Sequence, residues 1–366
     1  PPRAHAVVAR VGAMGSGVAR RRFQALGQRR LRTEALLGPA CVCLCWLSQF
    51  GPACASRVYR TPMLVDDVAS CAAAVERIMK EREVAVDLEG VSLGRAPGKI
   101  SVLQVHFGDA TTYIFDITVL KQDAFDAGGL RTLFESPGVQ KVFYDARSDC
   151  DALYHNHNVS IHNAYDLQVL FHFVFAPGLE RLIGLKKALG IYAKTSISAQ
   201  QLKALEDIKA EGVRLFEPRF GGDYDLWERR PLAPSLVTYC AADVKHLLSM
   251  KALWGSSACD GPVVDATAYR IGQTIAQAEV IQSERSRLDF PTPPGLHCRL
   301  PDGILMVEVQ LQPRRLGYII GPGGSALQNT EGVSGASIFI RQHDSVALVV
   351  GRSTETQQAA YLLNRN

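Results

Sequence analysis

The sequence predicts an α/β chain built on a mixed β-sheet flanked by helices, followed by a small α+β module. Three observations carry that class. Strand patterns succeed one another from residue 84 to residue 117, helix and strand patterns then alternate to about residue 155, and helical patterns dominate from residue 167 to the break at Pro291-Thr292-Pro293-Pro294-Gly295.

Taken in order, Asp66 and Asp67 are placed to cap a helix running to about Glu81. Strand 84–91 leads through the loop Gly94 to Lys99 into strand 101–108, and Gly108-Asp109 marks a tight turn into strand 111–117. Gly129 to Glu135 reads as a helix, Lys141 to Tyr144 as a buried strand and Asp149 to His155 as a helix. Helices follow at Leu167 to Phe175, Leu179 to Leu189, Ala199 to Gly212 and, as one long element, Pro234 to Leu253. A last helical pattern, Pro262 to Leu288, ends at the proline cluster, which marks a domain boundary. Beyond it, Ile304 to Gln312 alternates like a strand and Pro313 to Ile320 reads as a short helix. Gly321-Pro322-Gly323-Gly324 interrupts before a second helix from Ser325, and strands Ala336 to Arg341 and Val346 to Val350 and a helix Thr354 to Leu363 complete the order β-α-α-β-β-α.

At 366 residues, with 47% hydrophobic and 21% charged residues, the chain has material for two domains of an ordinary globular protein. Residues 1–60 hold ten of the forty basic residues, all Arg, and one acid, Glu34, which leaves thirty basic residues against thirty-five acids in the remainder. A broad cationic footprint for nucleic acid is absent there, so such binding has to be local. Residues 1–60 read as an Arg-rich leader. Arg20-Arg21-Arg22 and Arg29-Arg30 fit an organellar transit peptide (mitochondrion or plastid), Leu36 to Leu47 before Ala53-Cys54-Ala55 fits a secretory h-region, and translated upstream sequence is the other reading, the first Met being Met14. The apolar run is too short to span a bilayer, and no stable membrane association is expected. Nine cysteines without CxxC pairs point to a reducing, intracellular setting with neither a disulfide framework nor a zinc site.

The chemistry starts at Val84-Ala85-Val86-Asp87-Leu88-Glu89-Gly90. Side chains alternate faces along a strand, so Asp87 and Glu89 share a face, roughly 6–7 Å apart, opposite Val84, Val86 and Leu88. Like charges facing together are unfavourable without a cation, and a bivalent metal fits. Two later segments add acids. Lys141-Val142-Phe143-Tyr144-Asp145-Ala146-Arg147-Ser148-Asp149-Cys150-Asp151 is a strand turning into a helix with a carboxylate in its first turn, and Tyr239 and Asp243, four apart, share a helical face. Three acidic segments can converge.

These residues resemble the DEDD exonuclease superfamily, close to the ribonuclease D and Werner-type 3′ to 5′ exonuclease domains, over roughly residues 62–256. Asp87 and Glu89 fit its first motif, Asp149 the second, and Asp243 with Tyr239 the third; Trp227, Arg229 or Arg230, Pro231 and Leu232 fit the lead-in to the third. In the second motif Asp145, Asp149 and Asp151 compete; Asp149 has Leu153 in the family's register, whereas Asp145 is placed to end the strand or cap the helix. Asp166 is open to capping or to metal contact. The resemblance implies a ribonuclease H-like sheet, two divalent ions (Mg²⁺ or Mn²⁺) about 4 Å apart held by Asp87, Glu89, Asp149 and Asp243, and Tyr239 orienting or helping deprotonate the attacking water. Thr238 stands where the sister subclass carries its histidine. His155, His157 and His162 read as surface or satisfied polar groups, and Cys150 and Cys240 as small buried hydrophobes. Gly94-Arg95-Ala96-Pro97-Gly98-Lys99-Ile100 misses the phosphate-loop spacing and its hydroxyl, and reads as a hairpin loop with Arg95 and Lys99 in reach of substrate phosphate.

The C-terminal order, with Ile319-Ile320 ahead of Gly321-Pro322-Gly323-Gly324, resembles a type I K homology (KH) domain, which implies backbone clamping of about four single-stranded nucleotides at that loop. The usual basic residue between the outer glycines is missing, so Arg314, Arg315 and Arg341 are the candidate phosphate contacts. The domains expected are therefore a leader (1–60), an exonuclease domain (62–256), a helical linker (257–300) and a KH-like domain (301–366). Functionally the sequence points to a metal-dependent 3′-5′ exonuclease acting on single-stranded RNA, or DNA, 3′ ends, with the C-terminal module tethering substrate. A catalytically inactive RNA-binding adapter and a DNA repair exonuclease are the alternatives.

Overall fold

The computed structural model describes residues 61–108, 111–277 and 287–365. The leader at residues 1–60 and the Asp109 half of the Gly108-Asp109 turn lie outside the described residues. Six strands, β1 (Met63–Val65), β2 (Glu83–Glu89), β3 (Val102–Phe107), β4 (Thr111–Asp116), β5 (Gln140–Phe143) and β6 (Ala164–Asp166), form one sheet in the order β1-β4-β3-β2-β5-β6. The pairs β2–β3 and β3–β4 are antiparallel, and β1–β4, β2–β5 and β5–β6 are parallel. This is the expected mixed sheet. The two strands absent from the sequence-based expectation, β1 and β6, are three residues each, too short for an alternation to show.

The strand that carries the acid pair is interior, between β3 and β5. On one face, Val84, Val86 and Leu88 enter a core with α1 (Val68–Ile78), α2 (Ile117–Leu120), α3 (Leu130–Glu135) and α4 (Arg147–His157). Of the two capping candidates for α1, Asp67 accepts the Ser70 amide at 2.9 Å. The opposite face bears Ala85, Asp87 and Glu89 and is covered by α5 (Leu167–Phe175), α6 (Leu185–Ser196), α7 (Ala199–Phe216), α8 (Pro234–Val244), α9 (Leu247–Trp254) and α10 (Ser257–Ala276).

Three elements depart from the expectation. The helix read at Leu179 to Leu189 forms later, as α6, because the residues before it are held elsewhere: Leu288 N–H donates to Glu180 C=O at 2.9 Å, Arg181 bridges Arg287, and Ile183 C=O accepts from Tyr144 and Gln168. The long helix from Pro234 breaks at Lys245-His246, since α8 lies on β2, β3 and β4 while α9 turns onto α5 and β5. The segment expected to be a helical linker is in part a structural wall. From α10, the buried Arg270 reaches Asp166 at 2.6 Å and Asp145 at 3.1 Å and donates to Gln168 Oε1 at 2.6 Å. Cys259 of α10 is also joined to Cys298 by a disulfide, where the cysteine spacing suggested none. Residues 39 apart meet because the chain folds back along α10, a tertiary event that spacing does not encode.

The C-terminal module runs β7 (Leu305–Gln310), α11 (Leu316–Ile320), α12 (Ser325–Ser334), β8 (Ser337–Arg341), β9 (Val346–Gly351) and α13 (Ser353–Arg365), with an antiparallel sheet ordered β7-β9-β8. It is seated directly on the larger module. Central strand β9 is apolar at every residue from Val346 to Val350: Ala347 and Val349 face the module's own helices, while Val346, Leu348 and Val350 join Phe339 in the core that contains Phe171. Phe171 and Phe339 meet edge to face at 5.9 Å. Lys187 of α6 donates to Ile338 C=O at 2.9 Å and pairs with Glu331 at 2.7 Å. No helix among the described residues is long and apolar enough to cross a membrane.

The Arg270 cluster yields a stability prediction. Removing one partner of a buried ion pair strands the other, so Arg270→Ala is expected to lower the unfolding free energy by about 3–5 kcal/mol. Urea unfolding followed by tryptophan fluorescence measures it, and a loss below about 1 kcal/mol, the range of exposed pairs, contradicts it.

Candidate active site

Asp87 and Glu89 project from β2 toward α8, which carries Tyr239 and Asp243 one turn apart. Carboxylate oxygens of Asp87, Glu89 and Asp243 all lie within 4.8 Å of one another. Across the sheet, Gln104 is the register partner of Asp87 and donates Nε2–H to its Oδ2 at 2.6 Å. Asp149 stands in the first turn of α4 and is buried. It is outside the trio, yet of the charges acting on it Asp87 is the strongest.

The three acids of the second motif differ in their partners. Asp145, held at φ 67°, pairs with Arg147 at 2.6 Å and with Arg270. It ends the strand segment, but Ala146, not Asp145, occupies the cap position of α4. Asp151 pairs with Arg95 at 2.6 Å, and Asn156 donates to Gly94 C=O and Gly98 C=O, so the glycine-rich loop is strapped onto α4. Arg95 is thereby occupied, contrary to the expectation that it reaches substrate, while the exposed Lys99 lies 3.6 Å from Glu228. Asp166 proves to be a fastener: its carboxylate accepts the amides of Asp145 at 2.9 Å, Ala146 at 3.2 Å and Gln168 at 2.9 Å, capping α5 and fixing the turn that aims Asp149.

Burial, then mutual repulsion, dominates the electrostatics. Asp87 is pushed up to about 8, first by desolvation and then by the Asp243 charge, with Lys209 and the Gln104 hydrogen bond pulling it back. Glu89 and Asp149 are raised well above the carboxylate range by burial and by their acidic neighbours, and Asp243 is raised by burial against the pull of Lys209. Asp243 Oδ2 is buried with no hydrogen-bond partner among the described residues. Clustered oxygens that repel one another, one of them orphaned, are the donor set that a hard divalent cation fits.

Lys209 and Gln104 escaped the sequence reading. Lys209, on α7, pairs with Asp243 Oδ1, and its ammonium lies 3.8 Å from the centre of the Tyr239 ring. A lysine on a charge-rich helix gives no signal of pointing inward; Gln104, the one amide in the buried strand Val102–Phe107, could have been noticed. Helix α7 comes this close because residue 212 is glycine: a Cβ there would stand 2.1 Å from the Tyr239 ring. Tyr239 is buried between Phe216 and Trp227, and burial followed by the Asp243 charge raises its phenol, which stays protonated at neutral pH. In the lead-in, Arg230 is the inward arginine, on Asp116 at 2.7 Å, and Trp227 is buried, while Arg229 pairs with Asp223.

In the C-terminal module, Gly321, Gly323 and Gly324 adopt φ of 70°, 59° and 81°, a left-handed path open to glycine, with Pro322 beginning the turn. Arg314 and Arg315 lie on the 3₁₀ turn Pro313–Arg315 ahead of α11, Arg314 exposed. Arg341 is held by Asp344 at 2.8 Å and Glu308 at 3.2 Å. Tyr318, just before the loop, is 72% exposed, an aromatic ring that the sequence reading did not single out.

Two family models match the chain. The family model described as 3′-5′ exonuclease matches residues 62–253, and that of the KH domain matches residues 306–365. The chain is 29% identical over 184 residues to the piRNA biogenesis protein EXD1 of Mus musculus, covering 49% of this chain and 30% of that protein. It is 36% identical over 96 residues to the EXD1 protein of Bombyx mori, covering 26% and 30%. The chain spans about a third of the length of these curated relatives. Among solved structures, the Trypanosoma brucei RNase D: GMP complex matches with a TM-score of 0.50 and 22% identity over 63% of this chain and 69% of that one, a likeness of fold.

A pH dependence arises from the raised carboxyls. Protons compete for the oxygens a cation would use, so Mn²⁺ binding is expected to tighten as pH rises from 6 through the Asp87 value of about 8. Calorimetric titration at a series of pH values checks this, and pH-independent binding contradicts it.

Proposed function

Because the chain belongs to the 3′-5′ exonuclease family, we propose that it is a divalent-metal-dependent 3′-5′ exonuclease that shortens single-stranded RNA from its 3′ end. The observation that carries this reading is the convergence of Asp87, Glu89 and Asp243 within 4.8 Å of one another beside Tyr239. In this reading Asp87, Glu89 and Asp243 would hold one Mg²⁺ or Mn²⁺ ion, and Asp149 with Asp87 a second. When bound, such ions supply Lewis-acid activation of water and neutralise charge at the departing oxygen.

The protein's own groups do the rest. Gln104 holds one Asp87 oxygen in place, and the Asp166–Arg270 fastening fixes the turn into α4, from which Asp149 would join the site. Burial and the Asp243 charge raise the Tyr239 phenol, which supports a part for it in orienting the attacking water by a hydrogen bond. RNA is favoured over DNA by the KH domain at residues 306–365. The seating of that module on α6 and the Phe171 cluster supports a fixed presentation of substrate instead of a flexible tether. The rival reading, an RNA-binding adapter with a silent nuclease fold, has one observation in its favour: a cation of the chain, Lys209, already neutralises Asp243.

The deciding assay uses 5′-labelled RNA and DNA oligonucleotides with Mg²⁺, Mn²⁺ or chelator. A 3′ ladder that needs metal, prefers RNA and vanishes in Asp87→Ala/Glu89→Ala is expected; no ladder in either metal leaves the adapter reading. Tyr239→Phe is expected to slow turnover about 10²-fold with little change in RNA affinity, since a water-orienting group acts in the transition state. A loss under threefold would remove Tyr239 from the mechanism. Gly323→Asp with Gly324→Asp is expected to weaken binding of long RNA about tenfold or more by placing anions where phosphate runs, while very short substrates are cleaved as before. Equal affinity for long RNA would exclude the loop from binding.

A further inference from the structure

Lys209 offers more than a neighbouring charge, and its further role rests on the metal-dependent reading of the site. Its ammonium is paired with Asp243 Oδ1, and Asp243 is one of the three carboxylates whose oxygens cluster within 4.8 Å. The ammonium is also placed 3.8 Å from the centre of the Tyr239 ring, so an acid and an aromatic face hold it together. It has somewhere else to go. The Lys209 side chain, 27% exposed, opens onto a cavity of about 530 Å³ between α6 and α7 whose lining includes Lys186, Leu189, Glu206, Val213, Arg214 and Asp243. Glu206, three residues back on α7, is a neighbouring position on the same helix and supplies an alternative anion.

We propose that Lys209 is a built-in placeholder for the cation: its ammonium occupies the Asp243 side of the three-carboxylate site in the metal-free protein, and metal loads by displacing it into the cavity between α6 and α7. The placeholder removes repulsion that would otherwise strain the empty site, and it sets a threshold of metal concentration below which the site stays closed. Occupancy and affinity are linked quantitatively, because a site that is open for a tenth of the time binds about tenfold more weakly than one that is always open.

The test is Mn²⁺ titration of the full chain, by calorimetry and by counting free Mn²⁺ with electron paramagnetic resonance, for the wild type, Lys209→Met and Lys186→Met. Lys209→Met is expected to bind Mn²⁺ about tenfold more tightly than the wild type. Its melting temperature is expected to fall below that of the wild type without metal and to rise by a larger increment when Mn²⁺ is added. Lys186→Met removes the same charge from the same cavity without touching the pair with Asp243, and is expected to bind within twofold of the wild type. Equal or weaker binding by Lys209→Met, equal tightening by Lys186→Met, or a Lys209→Met chain that stays unfolded in Mn²⁺ each overturns the placeholder. Failure of both the wild type and Lys209→Met to bind Mn²⁺ overturns the metal-dependent reading and the placeholder together.

Discussion

Repulsion among carboxylates is the constraint on which the rest of this structure depends. Asp87 and Glu89 are locked on one face of an interior strand, and α8 brings Asp243 against them, so oxygens of all three crowd within 4.8 Å of one another. Desolvation raises all three groups, and the charge of acidic neighbours adds to it at Asp87 and Glu89, so the residual repulsion must be offset by hydrogen bonds, protons or cations. The chain supplies some of that relief itself, through the Gln104 amide on Asp87 and the Lys209 ammonium on Asp243. Among the described residues none satisfies Asp243 Oδ2. A site that is partly relieved, with one oxygen still open, is suited to exchanging an internal cation for an external one.

Holding such a cluster together requires rigid surroundings, and these come from distant parts of the sequence. Asp166 and Arg270 fasten the turn into α4 and so aim Asp149, although the two lie 104 residues apart. Gly212 lets α7 press against Tyr239, which puts Lys209, one turn earlier, over the same ring. Helix α10 is therefore part of the site's support, and the small C-terminal module shares a core with the larger one through Phe339 and β9. Catalytic groups placed on strands and helices that are themselves buried keep their geometry better than groups on loops.

The features legible in the sequence are those set by local periodicity. The strand 84–91, its two acids on one face and the four-residue step from Tyr239 to Asp243 are short-range patterns, and the structure realises each of them. The β-α-α-β-β-α order of the C-terminal module is equally local, and the KH match at residues 306–365 agrees with it. The features that escaped depend on tertiary approach. Lys209 points inward only because α7 crosses α8 at a glycine, Cys259 meets Cys298 only because the chain returns along α10, and α6 starts late because Glu180 and Arg181 pair with that returning segment. The long helix from Pro234 is continuous in pattern but broken in space, since its two halves serve different surfaces.

The central claim, that β2 and α8 build a cation site into which Lys209 intrudes, is tested most directly by Mn²⁺ soaked into crystals of the full chain and located by anomalous scattering. The account predicts a peak within about 2.0–2.6 Å of carboxylate oxygens of Asp87, Glu89 and Asp243, with the Lys209 ammonium withdrawn from Asp243 toward the cavity between α6 and α7. A saturated crystal with no peak at these three residues, or a peak there with Lys209 still paired to Asp243, would contradict it.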